Sequence, residues 1–437
     1  MSDHDVAGGR GEAPQSVVEG PLVSRVAALD IAKASLVACV RVPDGAGAGR
    51  RLQTVRECST LTPAVLALAD WLRVEQVELV GMEATGDFWK PVYYLLEAEG
   101  FEVWLLNPRH VKNVPGRAKT DRLDAVWLAK LIERGMVRPS LVQPKPIRQL
   151  RDLTRYRRSV VRDRTREVQR LQDLLEDAQI KLSSVISDIM GVSGREMIEA
   201  LIAGERDPKK LAQMARSRMR SKIAVLEEAL TGHFEDHHGF LAAAMLARID
   251  AANRTEEDLT TRIEGSIEPF RDHVDQLIAI TGVGAKSAEE LIAEIGVDMS
   301  RFPTADHLAA WARFAPIDRQ SANRAKSATT GKGNPWLGAT LGEIVAAIAR
   351  TDTFLGERYR RLARRRGKQR AIVAVGRSVL VIVWHLLNDP DTTYHDLGAD
   401  YYHAGINRRR RERDLTRQLE NLTGQRVILQ PRPEQAA

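Results

Sequence analysis

The sequence predicts a mixed α/β domain followed by a longer, mostly helical region, and three observations predict it. Between Val26 and Leu106, short apolar runs come first and then alternate with helical segments, the pattern of a sheet layered with helices. Beyond Pro146 the apolar residues recur at steps of three and four, and strand-like runs disappear. The 437 residues suffice for two or three domains, each with its own core.

The elements follow in order. Val26-Ala27-Ala28-Leu29-Asp30-Ile31 reads as a strand, resumed at Leu36–Val40, and the glycine-rich run 45–49 joins it hairpin-fashion to Leu52–Val55. A helix is expected over Pro63–Arg73, a short buried strand over Val77–Met82 ending at Glu83, and a second helix over Trp89–Glu99. Phe101–Leu106 is another strand, and the loop Asn107–Lys119 leads into a helix that starts at Asp121. The expected division is a polar tail over 1–24, an α/β domain over 25–145, a helical coiled-coil region over 146–272, a second domain over 273–390 and a basic tail over 391–437.

Composition narrows the function classes. With 43% hydrophobic and 28% charged residues, most of the chain should fold. A net charge of +7 and a pI near 9.4 are modestly basic, but the charge comes in arginine-dense blocks. Such blocks suit a polyanion, and phosphate more than a membrane surface, because no apolar anchor adjoins them. Cys39 and Cys58 sit in strands and read as buried thiols of a reducing compartment. Residues 1–24 lack the apolar core of a signal peptide, and no run approaches the ~18 apolar residues of a membrane span, so a cytoplasmic protein is expected.

Four acids stand out. Asp30 follows one apolar run and Glu83 closes another; an ionised carboxylate at the edge of a core is costly unless paired or metal-bound. A pair with Lys33 would account for Asp30, and capping of the Ala84-Thr85-Gly86 turn for Glu83. Asp121 and Asp124, three apart at a helix start behind Thr120, share a face, and the helix dipole alone would account for them. Together, two strand-end acids and a helical pair form an oxygen-rich set suited to two magnesium ions.

The segments Leu29-Asp30-Ile31-Ala32-Lys33, Met82-Glu83-Ala84-Thr85-Gly86 and Lys119-Thr120-Asp121-Arg122-Leu123-Asp124-Ala125 resemble the motifs of the DEDD transposases of bacterial insertion sequences. The resemblance implies a RuvC-like, ribonuclease-H-like N-terminal domain with Asp30, Glu83, Asp121 and Asp124 as Mg2+ ligands and catalytic residues.

In the helical region, Arg151, Arg155, Arg158, Arg162, Arg166 and Arg170 line one side, while Val161, Val168, Leu175 and Leu182 keep a heptad. Eight arginines face three acids over 151–170, which suggests a self-pairing coiled coil that lays arginines along phosphates; a solvated face is the alternative. His233, His237 and His238 lack a zinc-protease order and read as surface residues. Ile280-Thr281-Gly282-Val283-Gly284-Ala285-Lys286 has the helix-hairpin-helix pattern, whose glycines free backbone N–H groups to cradle phosphate; a glycine turn between packed helices is the competitor.

Ser321 lies amid Arg319, Arg324, Lys326 and Lys332, cations that would stabilise a pentavalent phosphorus. On composition alone it is one more loop hydroxyl. The resemblance singles it out, because the family's second domain carries its nucleophilic serine in a matching loop ahead of a start like Gly333-Asn334-Pro335-Trp336-Leu337. Many relatives have glycine two residues after the serine, where this chain has Asn323; asparagine tolerates left-handed backbone, and Ser327 is the fallback. Arg364 and Arg365 belong to the densest basic block, 358–370, ahead of an apolar helix over Ala371–Leu387.

The resemblance spans Val26 to about Asn388. It implies a recombinase that cuts and rejoins DNA at element ends and at a target, guided by a noncoding bridge RNA. The coiled coil could bring one chain's serine beside another chain's carboxylates, so at least a dimer is expected, with a tetramer during strand exchange. The alternatives are a site-specific invertase, a metal-dependent junction endonuclease that uses water, and a non-catalytic helix-hairpin-helix DNA-binding protein.

Overall fold

The computed structural model describes residues 23–44, 50–84, 86–108, 121–316, 320–321, 324–325, 330–404 and 408–428. The chain divides into two compact units, residues 1–142 and 143–437.

The first unit is built on a five-stranded sheet of order β3-β2-β1-β4-β5, where β1 is Val26–Ile31, β2 Ser35–Pro43, β3 Arg51–Ser59, β4 Leu79–Glu83 and β5 Glu102–Leu106. β1, β2 and β3 form an antiparallel meander, while β4 and β5 run parallel to β1. Alternation along β1 sends Ala27, Leu29 and Ile31 to one face, where the helices Thr62–Val74 and Trp89–Ala98 cover them with Leu68, Leu72, Val92 and Leu96. Val26 and Ala28 point to the other face, onto Ala125, Leu128 and Ile132 of the helix Asp121–Glu133. Helices on both faces bury β1 and β4 except at Asp30 and Glu83, which is why they read as near-continuous apolar runs. This mixed sheet is consistent with a ribonuclease-H-like domain.

Gly81 sets the spacing of the second face. A Cβ there would run into Cδ1 at the tip of the Ile132 side chain, so any larger residue would force Ile132 to shift in a packed core. Gly81→Val is expected to destabilise the unit by about 1–3 kcal/mol through overpacking, measurable as a lowered melting temperature.

The second unit is helical. Its spine is the 33-residue helix Lys145–Asp177, packed against the 32-residue helix Asp236–Ile267. Arg164 meets Asn253, Glu167 meets Arg248, and Leu171 and Leu175 share a core with Leu246 and Ala242, so the two run antiparallel. Leu175 and Leu182 of the heptad are buried there, with Val168 partly buried beside them. This corrects the expected self-pairing seam: the chain's own second long helix fills it. Gly191 and Asp207 punctuate the shorter helices between them, and the Asp207 carboxylate accepts from the Lys209 N–H as an N-cap. His238 caps the second long helix by accepting from the Glu235 N–H, and His233 and His237 are exposed.

The C-terminal half stacks helices around Lys368–Asn388, whose Val375, Val379, Leu380 and Val383 are fully buried. That helix is long and apolar enough to cross a membrane by length and composition, contrary to the expectation that no such run exists. Its buried stripe recurs at core spacing, and the flanking helices Ala305–Trp311, Pro335–Ile348 and Phe354–Arg366 pack on it. The start of the tail folds back onto this core. The Asp396 carboxylate accepts from the Phe354 N–H, and Tyr402 stacks on the Phe354 ring with centroids 5.0 Å apart.

Candidate active site and nucleic-acid interface

In the first unit the acids are placed by register. Leu29 pairs with Met82 across the parallel β1–β4 ladder, so the next residues, Asp30 and Glu83, close adjacent strands at the same end. By the strand alternation they share the face of Ala28 and Gly81, the face covered by the helix Asp121–Glu133. The direction of that helix follows from its far end. Glu133 takes Arg41 at 2.6 Å and Arg51 at 3.1 Å, and Arg41 is level with Val26 at the start of β1. The helix therefore runs antiparallel to β1, and its N-terminus, carrying Asp121 and Asp124, points toward the strand ends that carry Asp30 and Glu83.

The distances along these elements are informative. Ile132 covers Gly81, which is level with Ala28. Asp30 and Glu83 lie two residues further along their strands, about 7 Å. Asp124 and Asp121 lie eight and eleven residues back along the helix, about 12 and 16 Å. With the helix laid along the strands, ideal rises would put the helix acids about 5–10 Å beyond the strand acids. Among the described residues no three carboxylates, histidines or cysteines close into a metal-holding group. Asp30, Glu83 and Asp124 are half-buried and Asp121 is exposed. As a donor set, carboxylates alone at the rim of a core match hard divalent cations in chemistry. Thr120 lies outside the described residues, as does the loop before it. The thiols offer no nucleophile: burial pushes Cys39 up to about 11 and raises Cys58 as well.

In the second unit, Ser321 and Arg324 face each other in a pair of two-residue strands, Gln320–Ser321 and Arg324–Ala325. Arg319, Asn323, Lys326 and Ser327 lie outside the described residues, and Lys332 is exposed. The loop ends at Asn334, whose side-chain oxygen caps the helix Pro335–Ile348 by accepting from the Trp336 and Leu337 N–H groups.

Beneath that cap lies a charge network that corrects the phosphate-rail reading of the first arginines. Arg155 grips Glu294 through Nε and Nη2, at 2.7 and 2.8 Å, and Arg151 donates to the Ala293 and Glu294 carbonyls. Arg158 reaches Glu290, Glu343 and Thr340, while the fully buried Arg157 pairs with Glu289 at 2.8 Å. Arg151, Arg155 and Arg158 therefore fasten the helix Lys145–Asp177 to Ala285–Ile295 and Pro335–Ile348. A guanidinium already satisfied by a carboxylate is not available to phosphate. Burial raises the Glu290 carboxyl above its ordinary range, against the Thr340 hydroxyl and Arg158. Arg162 and Arg166 remain exposed, Arg162 over the Trp336 ring and Arg166 beside Asp163.

The glycine motif forms a helix, a turn and a helix: Arg271–Ile278, then Ala285–Ile295. Gly282 has φ +89°, and a Cβ there would lie 2.6 Å from Ile348 Cγ1, so it serves the packing of the turn on a neighbouring helix. Gly284 faces open space ahead of the second helix, and Lys286 is tied to Glu256 at 2.8 Å. In the basic block, Arg364 is 75% exposed beside Glu357, and Arg365 is exposed.

Sequence reasoning missed Glu289, Glu290, Glu294 and Asn334. The signal was present: three acids within one turn and a half of an otherwise apolar helix, each buried or nearly so, require cationic partners.

Known proteins give the same reading. A family model described as a transposase, of the DEDD IS110 type, matches residues 27–180. A second, the transposase IS116/IS110/IS902 family, matches residues 274–360. The mini-circle putative transposase for IS117 of Streptomyces coelicolor is 25% identical over 48% of this chain and 55% of its own length. The transposase for insertion sequence element IS1111A of Coxiella burnetii is 25% identical over 72% of this chain and 79% of its own. An uncharacterized 42 kDa protein of insertion element IS900 from Mycobacterium paratuberculosis is 28% identical over 64% and 74%. The match thus spans little more than half of the Streptomyces relative. One family model takes in the sheet with Asp30, Glu83, Asp121 and Asp124, and the other takes in the turn, the serine loop and its capped helix; with both in one chain and in this order, the protein belongs to the IS110-type DEDD transposases.

Proposed function

We propose that the protein cuts and rejoins DNA strands at the ends of an insertion sequence and at its target, with Ser321 as the nucleophile. The observation that carries this reading is the shared face and shared end of Asp30, Glu83 and the Asp121–Glu133 helix N-terminus. Asp30, Glu83, Asp121 and Asp124 would hold two Mg2+, a role their all-oxygen chemistry fits. Bound there, the ions would neutralise phosphate charge and favour the alkoxide. Drawing the helix acids toward the strand acids would fall to the cations that arrive with the substrate, since their positive charge attracts all four carboxylates and offsets the repulsion from the phosphate.

Ser321 would exchange one phosphate ester for another. Its oxygen bonds to phosphorus, the strand's ester oxygen leaves with the proton, and the serine–DNA ester keeps the bond energy for rejoining. Lys332 and Arg324 would offset charge on the phosphate. The turn before Ala285–Ile295 would act as a helix-hairpin-helix, with Gly284 and the first N–H groups of that helix against the DNA backbone. A dimer, with a tetramer during strand exchange, would let one chain's serine serve another's carboxylates. Guidance by a noncoding bridge RNA is inferred from the family resemblance, and work on cytoplasmic DNA goes with it.

Trapping tests the nucleophile. Denatured protein carrying covalent DNA is expected from the wild type and absent from Ser321→Ala. Free nicked ends from Ser321→Ala at the wild-type rate would instead establish water as nucleophile, as in a junction endonuclease. Retained function in Glu83→Gln and Asp121→Asn would reduce the protein to a DNA-binding module.

A further inference from the structure

One concave feature of the second unit belongs neither to the serine loop nor to the acids. The helix Phe354–Arg366 projects Arg358, Arg361, Leu362 and Arg365 along one side, at the i, i+3, i+4 and i+7 positions. Tyr402, from the segment that folds back after Asn388, closes the other side, leaving a cleft of about 250 Å³. Two of the three arginines are held by that tyrosine. Arg358 Nη1 donates to its hydroxyl at 3.3 Å, and the Arg361 guanidinium lies 4.3 Å from the ring centroid. Phe354 stacks on the same ring, with centroids 5.0 Å apart, and helps to hold Tyr402 in place.

Charge balance sets this side of the helix apart. Glu357, with Asp352, serves Arg360 and Arg364. Among the described residues no carboxylate pairs with Arg358, Arg361 or Arg365. Arg358 Nε is buried and, among the described residues, has no hydrogen-bond acceptor. Three like charges within two helical turns repel one another, and a fold that pins two of them in place has already met part of the entropic cost of a shared anion. Guanidinium forks recognise the paired oxygens of phosphate, and the spread of the three over about 10 Å suits the run of phosphates along a strand.

We propose that Arg358, Arg361 and Arg365, braced by Tyr402, form a clamp for the phosphodiester backbone of a nucleic-acid strand, distinct from the reacting phosphate. This deepens the reading above, since it rests on the protein handling nucleic acid, but it needs no cleavage. The strand could be DNA or RNA, and the test separates them.

The full chain is titrated by fluorescence anisotropy with a labelled duplex DNA, a single-stranded DNA and a single-stranded RNA of equal length, over a range of salt. Arg361→Ala/Arg365→Ala is expected to weaken binding about tenfold or more, with the slope of log affinity against log salt reduced by about two. Loss confined to the RNA, or to the DNA, names the strand. Arg361→Lys/Arg365→Lys keeps the charge and loses the forks; it should retain the salt slope while weakening binding, and it stands in if the alanine variant fails to fold. Unchanged affinity and slope on all three probes would overturn the clamp. So would an equal loss from removing the distant, exposed pair Arg218 and Arg220, because the effect would then be net charge alone. Acid variants that still cleave would defeat the proposed reaction and leave the clamp standing.

Discussion

Asp30→Asn and Glu83→Gln are each expected to lower strand cleavage by about a thousandfold, roughly 4 kcal/mol of barrier, with folding and DNA binding retained. The size of the effect follows from what these side chains would do. A carboxamide keeps the shape of the acid but replaces one acceptor oxygen with an NH2 donor and gives a cation no charge, so the hold on a metal-bound phosphate is lost. Folding should survive because both residues are only half-buried at strand ends, outside the apolar clusters on either face. Cleavage of a labelled element end measures the first part, and anisotropy with melting temperature the second. A variant that cleaves at the wild-type rate would remove the strand-end pair from the site. Asp124→Asn should behave alike, whereas the exposed Asp121 overhangs furthest, so its loss should cost less.

The second large effect is structural. Glu294→Ala is expected to destabilise the helical unit by about 3–5 kcal/mol, because Arg155, Arg151 and the Asn334 amide all converge on a residue that is 2% exposed. The melting temperature of that unit should fall by on the order of 10 °C. The loss is mostly the cost of stranding a guanidinium, not the worth of the pair itself. Replacing Glu294 and Arg155 together with apolar residues of similar volume should therefore restore much of the stability. If the single variant melts like the wild type, the network is ornamental. Since Asn334 also caps the helix that follows the serine loop, Glu294→Ala should in addition loosen the loop's exit and reduce covalent trapping at Ser321.

The α/β half was legible almost throughout. Its strands are buried on both faces, so their apolar runs are short, continuous and bounded by turns, and the expected strand ends at Asp30 and Glu83 lie within a residue of those observed. The helical half was less legible for one reason: helical periodicity says which side of a helix is basic or apolar but not what lies opposite. Arg151, Arg155 and Arg158 looked like a rail for phosphate, yet Glu290 and Glu294, more than 130 positions away, meet that side. The heptad through Leu175 and Leu182 looked like a dimer seam, yet Leu246 and Ile249 fill it.

The sequence by itself determined the order of the strands and helices, the four acids as a set apart, and the resemblance that names the family. These are local facts, carried by side-chain type and spacing along one stretch of chain. Only the tertiary structure decided that Asp30 and Glu83 lie toward the N-terminus of the helix bearing Asp121 and Asp124, which of the arginines are occupied, and that Tyr402 returns to brace two that are not. Partner choice between distant segments is set by packing and charge balance in three dimensions, and a one-dimensional pattern leaves it open.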